Sequence, residues 1–205
     1  MEGALRKLAL FGPLFAFVFC CHFAAAQQGD IAFGGGTVMS SSVSNSSEAF
    51  QNLAEKGGTY LSVAGDFVGF KRRLGLNVET SWRARQASYY GYESYRPILT
   101  DFNGIFQPKL SKKFGLDLLG GIGIASTRFY VPYATSCSYF SGCINYTSSD
   151  HFLEHVGGGV RYYFWHSFFL RPEVHYYHIQ NNTNEFNSNN LFRVGASIGY
   201  TIGPE

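Results

Sequence analysis

From residue 192 to 202 every second position is apolar: Phe192, Val194, Ala196, Ile198, Tyr200 and Ile202. The residues between them, Arg193, Gly195, Ser197, Gly199 and Thr201, are polar or lack a side chain. A β-strand sends successive side chains to opposite faces, so this stretch predicts a strand with one apolar and one small, polar face. Seven further segments repeat the pattern: residues 30–38, 59–68, 74–84, 96–107, 114–130, 151–164 and 168–179. The third is the most regular. In it Leu74, Leu76, Val78, Thr80, Trp82 and Ala84 alternate with Gly75, Asn77, Glu79, Ser81 and Arg83. Leu119 and Phe129 break the alternation of the fifth segment. Pro172 falls on the apolar face of the seventh, where it has no N–H to give a ladder.

The connections alternate in length. Short turns near residues 69–73, 108–113 and 165–167 join strands two to three, four to five and six to seven. Long polar segments at 40–58, 85–95, 131–150 and 180–190 make the other joins. Eight antiparallel strands with short turns at one end and long loops at the other predict an all-β, up-and-down transmembrane β-barrel. Its short turns are periplasmic and its long loops extracellular.

A water-soluble eight-stranded barrel is the competing architecture, and it would turn the apolar face inward. The contents of the two faces decide between them. An eight-stranded barrel has room inside only for packed side chains. The apolar face carries large residues in nearly every strand. The other face carries Gly34, Gly36, Gly115, Gly121, Gly123, Gly157, Gly159, Gly195 and Gly199, interleaved with charges. Those charges are Asp66, Glu79, Asp101, Asp117 and Glu173 against Arg83, Arg161, Arg171 and Arg193. Buried charges must be paired, and the planar fork of Arg suits carboxylates. The expectation is lipid outside and a plugged, salt-bridged interior. Tyr162, Phe164 and Trp165 near the turns, with Trp82 and Tyr176 toward the loops, suit aromatic girdles at the two interfaces.

The N-terminus agrees with export. Arg6 and Lys7 precede an apolar run from Leu8 to Phe23, and Ala24, Ala25 and Ala26 supply small residues for cleavage before Gln27. Residues 1–26 are read as a cleaved signal peptide and 27–205 as one barrel domain of the outer membrane of a Gram-negative-type bacterium. Without Glu2, Arg6 and Lys7 the chain keeps 14 basic and 13 acidic side chains, a formal charge of +1. That balance predicts no nucleic-acid partner. Aromatic residues make up 18% of the chain and glycines number 24, the pairing that girdles and crowded strands require. After cleavage only Cys137 and Cys143 remain, in one long loop, and in an exported protein they predict a local disulfide.

The chain from residue 27 onward resembles the small outer-membrane β-barrel proteins of the OmpA/OmpX type. The most specific match is a C-terminal assembly signal of a polar residue, a glycine, a hydrophobic residue and an aromatic, here Arg193, Gly195, Ile198 and Tyr200. The resemblance implies handling by the barrel-assembly machinery. The chain departs from the pattern by continuing five residues past Tyr200.

Candidate chemistry is sparse. The runs Gly34-Gly35-Gly36 and Gly157-Gly158-Gly159 precede no helix and lack the Lys-Ser/Thr of a phosphate loop. His175 is expected inside and His178 outside, so the two share no ion; neither cofactor nor metal is expected. Ser126, Glu154 and His178 all point outward on consecutive strands, the residue types of a lipid-A-modifying enzyme. Polar residues at headgroup level cost little and account for them better, since the His-x-Ser pairing of lipid-A deacylases is absent. The function expected is non-enzymatic: envelope integrity or surface contact through the loops. The partners expected are outer-membrane lipid and lipopolysaccharide, with the protein a monomer. A small-solute channel and a lipid-A-modifying enzyme are the alternatives.

Overall fold

The computed structural model describes residues 28–40, 54–70, 73–91, 93–131, 136–138 and 142–203. The predicted signal peptide and most of the loop at 40–58 lie outside them. Eight strands form the barrel: β1 (Gln28–Ser40), β2 (Tyr60–Phe70), β3 (Leu74–Arg83), β4 (Glu93–Phe106), β5 (Phe114–Tyr130), β6 (Tyr146–Trp165), β7 (Phe168–Ile179) and β8 (Asn190–Ile202). Each pairs antiparallel with its neighbours in sequence, and β1 pairs with β8 from Gly29↔Ile202 to Ser40↔Leu191, which closes the ring. A three-residue strand, Ala87–Tyr89, extends the sheet beside the loop end of β4. Ser136–Ser138 and Gly142–Ile144 form a separate small hairpin.

The two faces differ as the alternation predicts. Outside, Leu76 is 66% exposed, Val156 62% and Phe33 60%, alongside Ile122, Phe102, Val174 and Ile198. In water such a continuous apolar surface is unsustainable; in lipid it is the solvent-matched face. Inside, Arg161, Arg171 and Arg193 are almost wholly buried. At the turn end Trp165 stacks on Phe168 at 5.6 Å, and Phe168 meets Tyr200 edge-on at 4.9 Å. Toward the loops Tyr176 packs on Phe192 at 4.9 Å.

Two details differ from the sequence pattern and a third follows it. First, β6 begins at Tyr146 rather than 151, because the β5–β6 ladder runs on to Tyr130↔Tyr146. Residues 146–150 are Tyr-Thr-Ser-Ser-Asp. Beyond the apolar band both faces of a hairpin are wet, so no hydrophobic period marks it. Second, Leu119 does not break the alternation. It points inward and packs on Val68 and Ile105, an apolar contact inside the barrel. Third, Pro172 faces outward opposite Ala196 of β8, and the β6–β7 ladder lapses there before resuming at Glu173↔Gly159. A missing donor costs the ladder locally and leaves its register intact.

Candidate functional site

The barrel interior holds the charged residues in two stacked layers. In the layer nearer the turns Arg161 of β6 spreads its guanidinium over three strands. Its Nε donates to Asp117 Oδ2 at 2.6 Å, Nη1 to Asp30 Oδ2 at 2.5 Å and Nη2 to Asp66 Oδ2 at 2.5 Å. The same guanidinium lies 4.4 Å over the ring of Phe169. Glycines make the space: Gly115 stands opposite Arg161 and Gly159 opposite Asp117. A Cβ added at Gly159 would approach Arg171 Cγ to 2.8 Å.

Arg171 links the layers. Its Nη1 donates to Asp117 Oδ2 at 3.1 Å, and its Nε donates to Glu173 Oε2 at 2.9 Å and Ser197 Oγ at 3.1 Å. In the second layer Arg193 Nη2 binds Glu79 and lies 3.5 Å from Glu173 Oε1. Among the described residues, six buried carboxylates (Asp30, Asp66, Glu79, Asp101, Asp117 and Glu173) face three guanidinium groups inside the barrel. Amide and imidazole donors share the remainder. Asn77 donates to Asp66 at 2.6 Å, Gln107 to Asp66 at 3.2 Å, and Asn103 to Asp101 and to Asn77. Because the Asn103 amide nitrogen is committed to those acceptors, its Oδ1 takes a bond from His155 Nδ1 at 2.7 Å. His155 Nε2 then accepts from His175 Nδ1 at 2.9 Å, and the other nitrogen of His175 faces Glu173 at 3.6 Å.

Glu79, Glu173 and His175 each place one ligand atom within 4.8 Å of the others, a spacing a metal ion could use. Arg193 already stands on both carboxylates, so the protein supplies its own cation there.

Above the charges lies an apolar layer: Val38, Tyr60, Leu99, Ala125, Leu153, Tyr177, Ile179 and Leu191. The ring of Tyr177 stacks on His155 at 4.7 Å and joins the two regions. The mouth is then capped by Phe186, Tyr95 and Tyr89, with Phe186 5.2 Å from Tyr95 and 6.0 Å from Tyr89. Glu55, from the first loop, is buried in this cap and accepts a bond from Tyr60 Oη at 3.4 Å. Burial pushes its carboxyl up to about 7, against the lowering influence of Asn182, Tyr60 and Arg83. At the other end, a cavity of about 10 Å³ beside Gln28, Gln107 and Arg161 has room for about one water.

Of the predicted interior charges, Asp66, Glu79, Asp101, Asp117, Arg161, Arg171, Glu173 and Arg193 are brought together. Arg83 is not. It lies four residues beyond Glu79 on β3, about 13 Å along a strand, and its Nη1 donates to Tyr95 Oη at 3.4 Å in the mouth. Sequence reading left Asp30, His155 and His175 out of the network, although all three have inward parity; the signal was present in the alternation itself.

The outward trio is not assembled. His178 and Glu154 are cross-strand partners, but Ser126 stands opposite Asp150, four residues further along β6. That is about 13 Å of strand. His178 Nδ1 is engaged with Asn190 Oδ1 at 2.9 Å. A different trio does meet at the mouth. Ser149 Oγ donates to Glu185 Oε1 at 2.8 Å, while His151 Nε2 lies 2.9 Å from Glu185 Oε2 and 3.0 Å from Ser149 Oγ. Both contacts use the same imidazole nitrogen, and the hydroxyl proton points at the acid. A nucleophile relay needs the acid on the opposite nitrogen, so this cluster ties the fourth loop to β6 instead. For the loop cysteines, the small hairpin's register sets Cys137 directly across from Cys143.

A closed, eight-stranded, antiparallel barrel with an apolar belt and a salt-bridged interior is the fold of the small outer-membrane β-barrels. Solved structures carry the same fold. The Ail attachment invasion locus protein of Yersinia pestis matches with a TM-score of 0.53 at 12% identity, over 86% of this chain and 99% of that one. Neisserial surface protein A (NspA) matches with a TM-score of 0.60 at 10% identity, over 85% and 96%. OprG of Pseudomonas aeruginosa matches with a TM-score of 0.53 at 13% identity, over 88% and 98%. No family model and no curated protein sequence matches the chain.

Proposed function

We propose that the protein is a non-enzymatic outer-membrane barrel that acts through its extracellular loops, in surface contact and in the integrity of the envelope. The observation that carries this reading is the filled interior. The layer around Arg161 and Arg193, the apolar layer around Tyr177 and Leu153, and the cap over them occupy the cross-section that a pore would need. What remains for interaction is the loop end, where polar segments rise from the barrel. The neighbours named for attachment and for the cell surface are compatible with that reading, and at their identity they add the fold alone. Export by a cleaved signal peptide, insertion by the barrel-assembly machinery through Arg193, Gly195, Ile198 and Tyr200, and contact with lipopolysaccharide as a monomer complete the proposal.

Two measurements test it. Purified protein in planar bilayers is expected to give no steady conductance; a persistent open level would overturn the filled-lumen reading in favour of a small-solute channel. A deletion strain is expected to become sensitive to detergents and to large antibiotics, and a copy with shortened loops is expected to lose surface attachment. Wild-type behaviour of both strains in both assays would overturn the envelope role.

A further inference from the structure

The turn-side rim of the barrel is divided in two. From β5 round to β8 it is aromatic, with Phe114 and Tyr162 rings 5.3 Å apart and Trp165, Phe168 and Tyr200 in contact. On the β2–β5 side it is basic. Arg73 leads into β3, and Lys109, Lys112 and Lys113 fill the β4–β5 turn; all four are exposed. Neither turn contains an acidic residue, and Lys71 and Arg72 precede Arg73 in sequence.

Above this basic sector the lipid-facing wall is indented. Gly104 and Gly120 face outward and stand opposite each other in the β4–β5 register, the one such glycine pair among the described residues. Leu74, Phe106 and Leu118 wall the resulting groove, which has a volume of about 300 Å³. A glycine inside a strand weakens it and gives up a packing side chain, so its presence requires a reason. For inward glycines the reason is crowding: a Cβ at Gly121 would run into the backbone of Phe102. At Gly120 an added Cβ meets nothing within 4 Å, and at Gly104 only the Gly120 carbonyl at 3.8 Å. Nothing within the protein demands glycine at either position. Strand glycines of this kind mark places where another molecule approaches the backbone closely, and what surrounds this wall is lipid.

The spacing fits one leaflet. Gly104 lies five residues above Lys109, about 16 Å along the strand, or roughly 12 Å of depth at a tilt of about 40°. Half of a hydrocarbon core is about 15 Å. We propose that groove and rim form one binding site for an anionic glycerophospholipid of the periplasmic leaflet. One acyl chain lies over Gly104 and Gly120, and the phosphate is held by Arg73, Lys109, Lys112 and Lys113. Charge complementarity selects this occupant over a zwitterionic lipid or a second copy of the chain.

Native mass spectrometry of the protein released from detergent micelles tests the site, with dioleoyl-phosphatidylglycerol and dioleoyl-phosphatidylethanolamine added in equal amounts. Wild type is expected to retain one phosphatidylglycerol with a preference of about tenfold. Lys109→Gln/Lys112→Gln/Lys113→Gln is expected to erase the preference. Gly120→Leu, which fills the groove from a lipid-facing position, is expected to lower phosphatidylglycerol retention about tenfold. A heat-dependent gel shift checks that each variant is folded, and Gly104→Ala replaces Gly120→Leu where it is not. Equal retention of the two lipids by wild type overturns the proposal. So does retention unchanged by filling the groove, or a dimer that Gly120→Leu dissolves.

Discussion

Arg161 and Asp30 lie 131 residues apart in sequence and meet at 2.5 Å inside the barrel. The bond joins β6 to β1 across the lumen, and the same guanidinium holds Asp66 and Asp117. Neither ladder nor turn connects β6 to β1 or β2 directly, so the side-chain network ties together walls that the backbone leaves independent. Removing one partner of a buried pair strands the other in low dielectric, at a cost of about 3–5 kcal/mol. Arg161→Met is expected to destabilise the refolded barrel by that amount in urea titrations followed by the gel shift. Adding Asp117→Asn to Arg161→Met removes one stranded charge and is expected to restore part of the loss, giving a non-additive cycle.

The seam between β1 and β8 leaves no space for side chains at its centre. Gly36 and Gly195 face each other there, and a Cβ on Gly36 would come within 2.6 Å of the Val194 carbonyl oxygen. On Gly195 it would come within 2.5 Å of the Gly35 carbonyl oxygen. Backbone cannot yield as a flexible side chain can, so Gly195→Val is expected to prevent closure of the ring. Gly195 also sits in the predicted assembly signal, and refolding into detergent micelles without any assembly factor separates the two roles. Failure to reach the heat-modifiable form in micelles identifies the packing defect; normal refolding there would leave the signal as the residue's sole role.

Strand parity carried most of this fold. It set the number of strands, the lipid-facing side and eight of the nine charges assigned to the interior. Arg83 was misplaced because parity gives a direction and says nothing of depth: on β3 it points inward, but at the height of Tyr95 rather than of Arg193. Asp30 opens the predicted segment 30–38, whereas the strand itself begins at Gln28 and Asp30 lies at the height of Arg161. The Ser149–His151–Glu185 contact was invisible in sequence because it joins a loop residue to a strand extension with no hydrophobic period. Gly104 and Gly120 carry no mark in the sequence; the β4–β5 register alone sets them opposite each other.

Cys137 and Cys143 are cross-strand partners in the small loop hairpin, a spacing that suits a disulfide in an oxidising compartment. Protein isolated without reductant is expected to resist alkylation at both residues and to accept it after reduction. In the chain-entropy picture so short a ring is worth about 2 kcal/mol. Because the hairpin stands apart from the barrel sheet, that stabilisation is expected to be local. Cys143→Ser should therefore leave the unfolding midpoint of the barrel unchanged while raising proteolysis within residues 131–145. A large fall in the midpoint would show that the hairpin braces the barrel itself.

Glu55 makes the cap over the barrel mouth sensitive to pH. Its carboxyl is buried against Tyr60 and Asn182, with Arg83 and Tyr95 the other ionisable groups facing it, and burial pushes it up from 4.5 to about 7. An acid whose value is raised in the docked state holds its proton there more tightly than in the undocked loop. Its contribution is therefore complete below about pH 4.5 and is lost as pH rises through about 7. The difference corresponds to roughly 3 kcal/mol of docking free energy. Hydrogen exchange over residues 54–60 and 181–187, corrected for intrinsic rates, is expected to show protection falling between about pH 5 and about pH 8. Glu55→Gln keeps a neutral side chain of the same shape and is expected to flatten that dependence while keeping the cap protected at the higher pH. A variant that follows the wild-type curve would assign the loosening to another group.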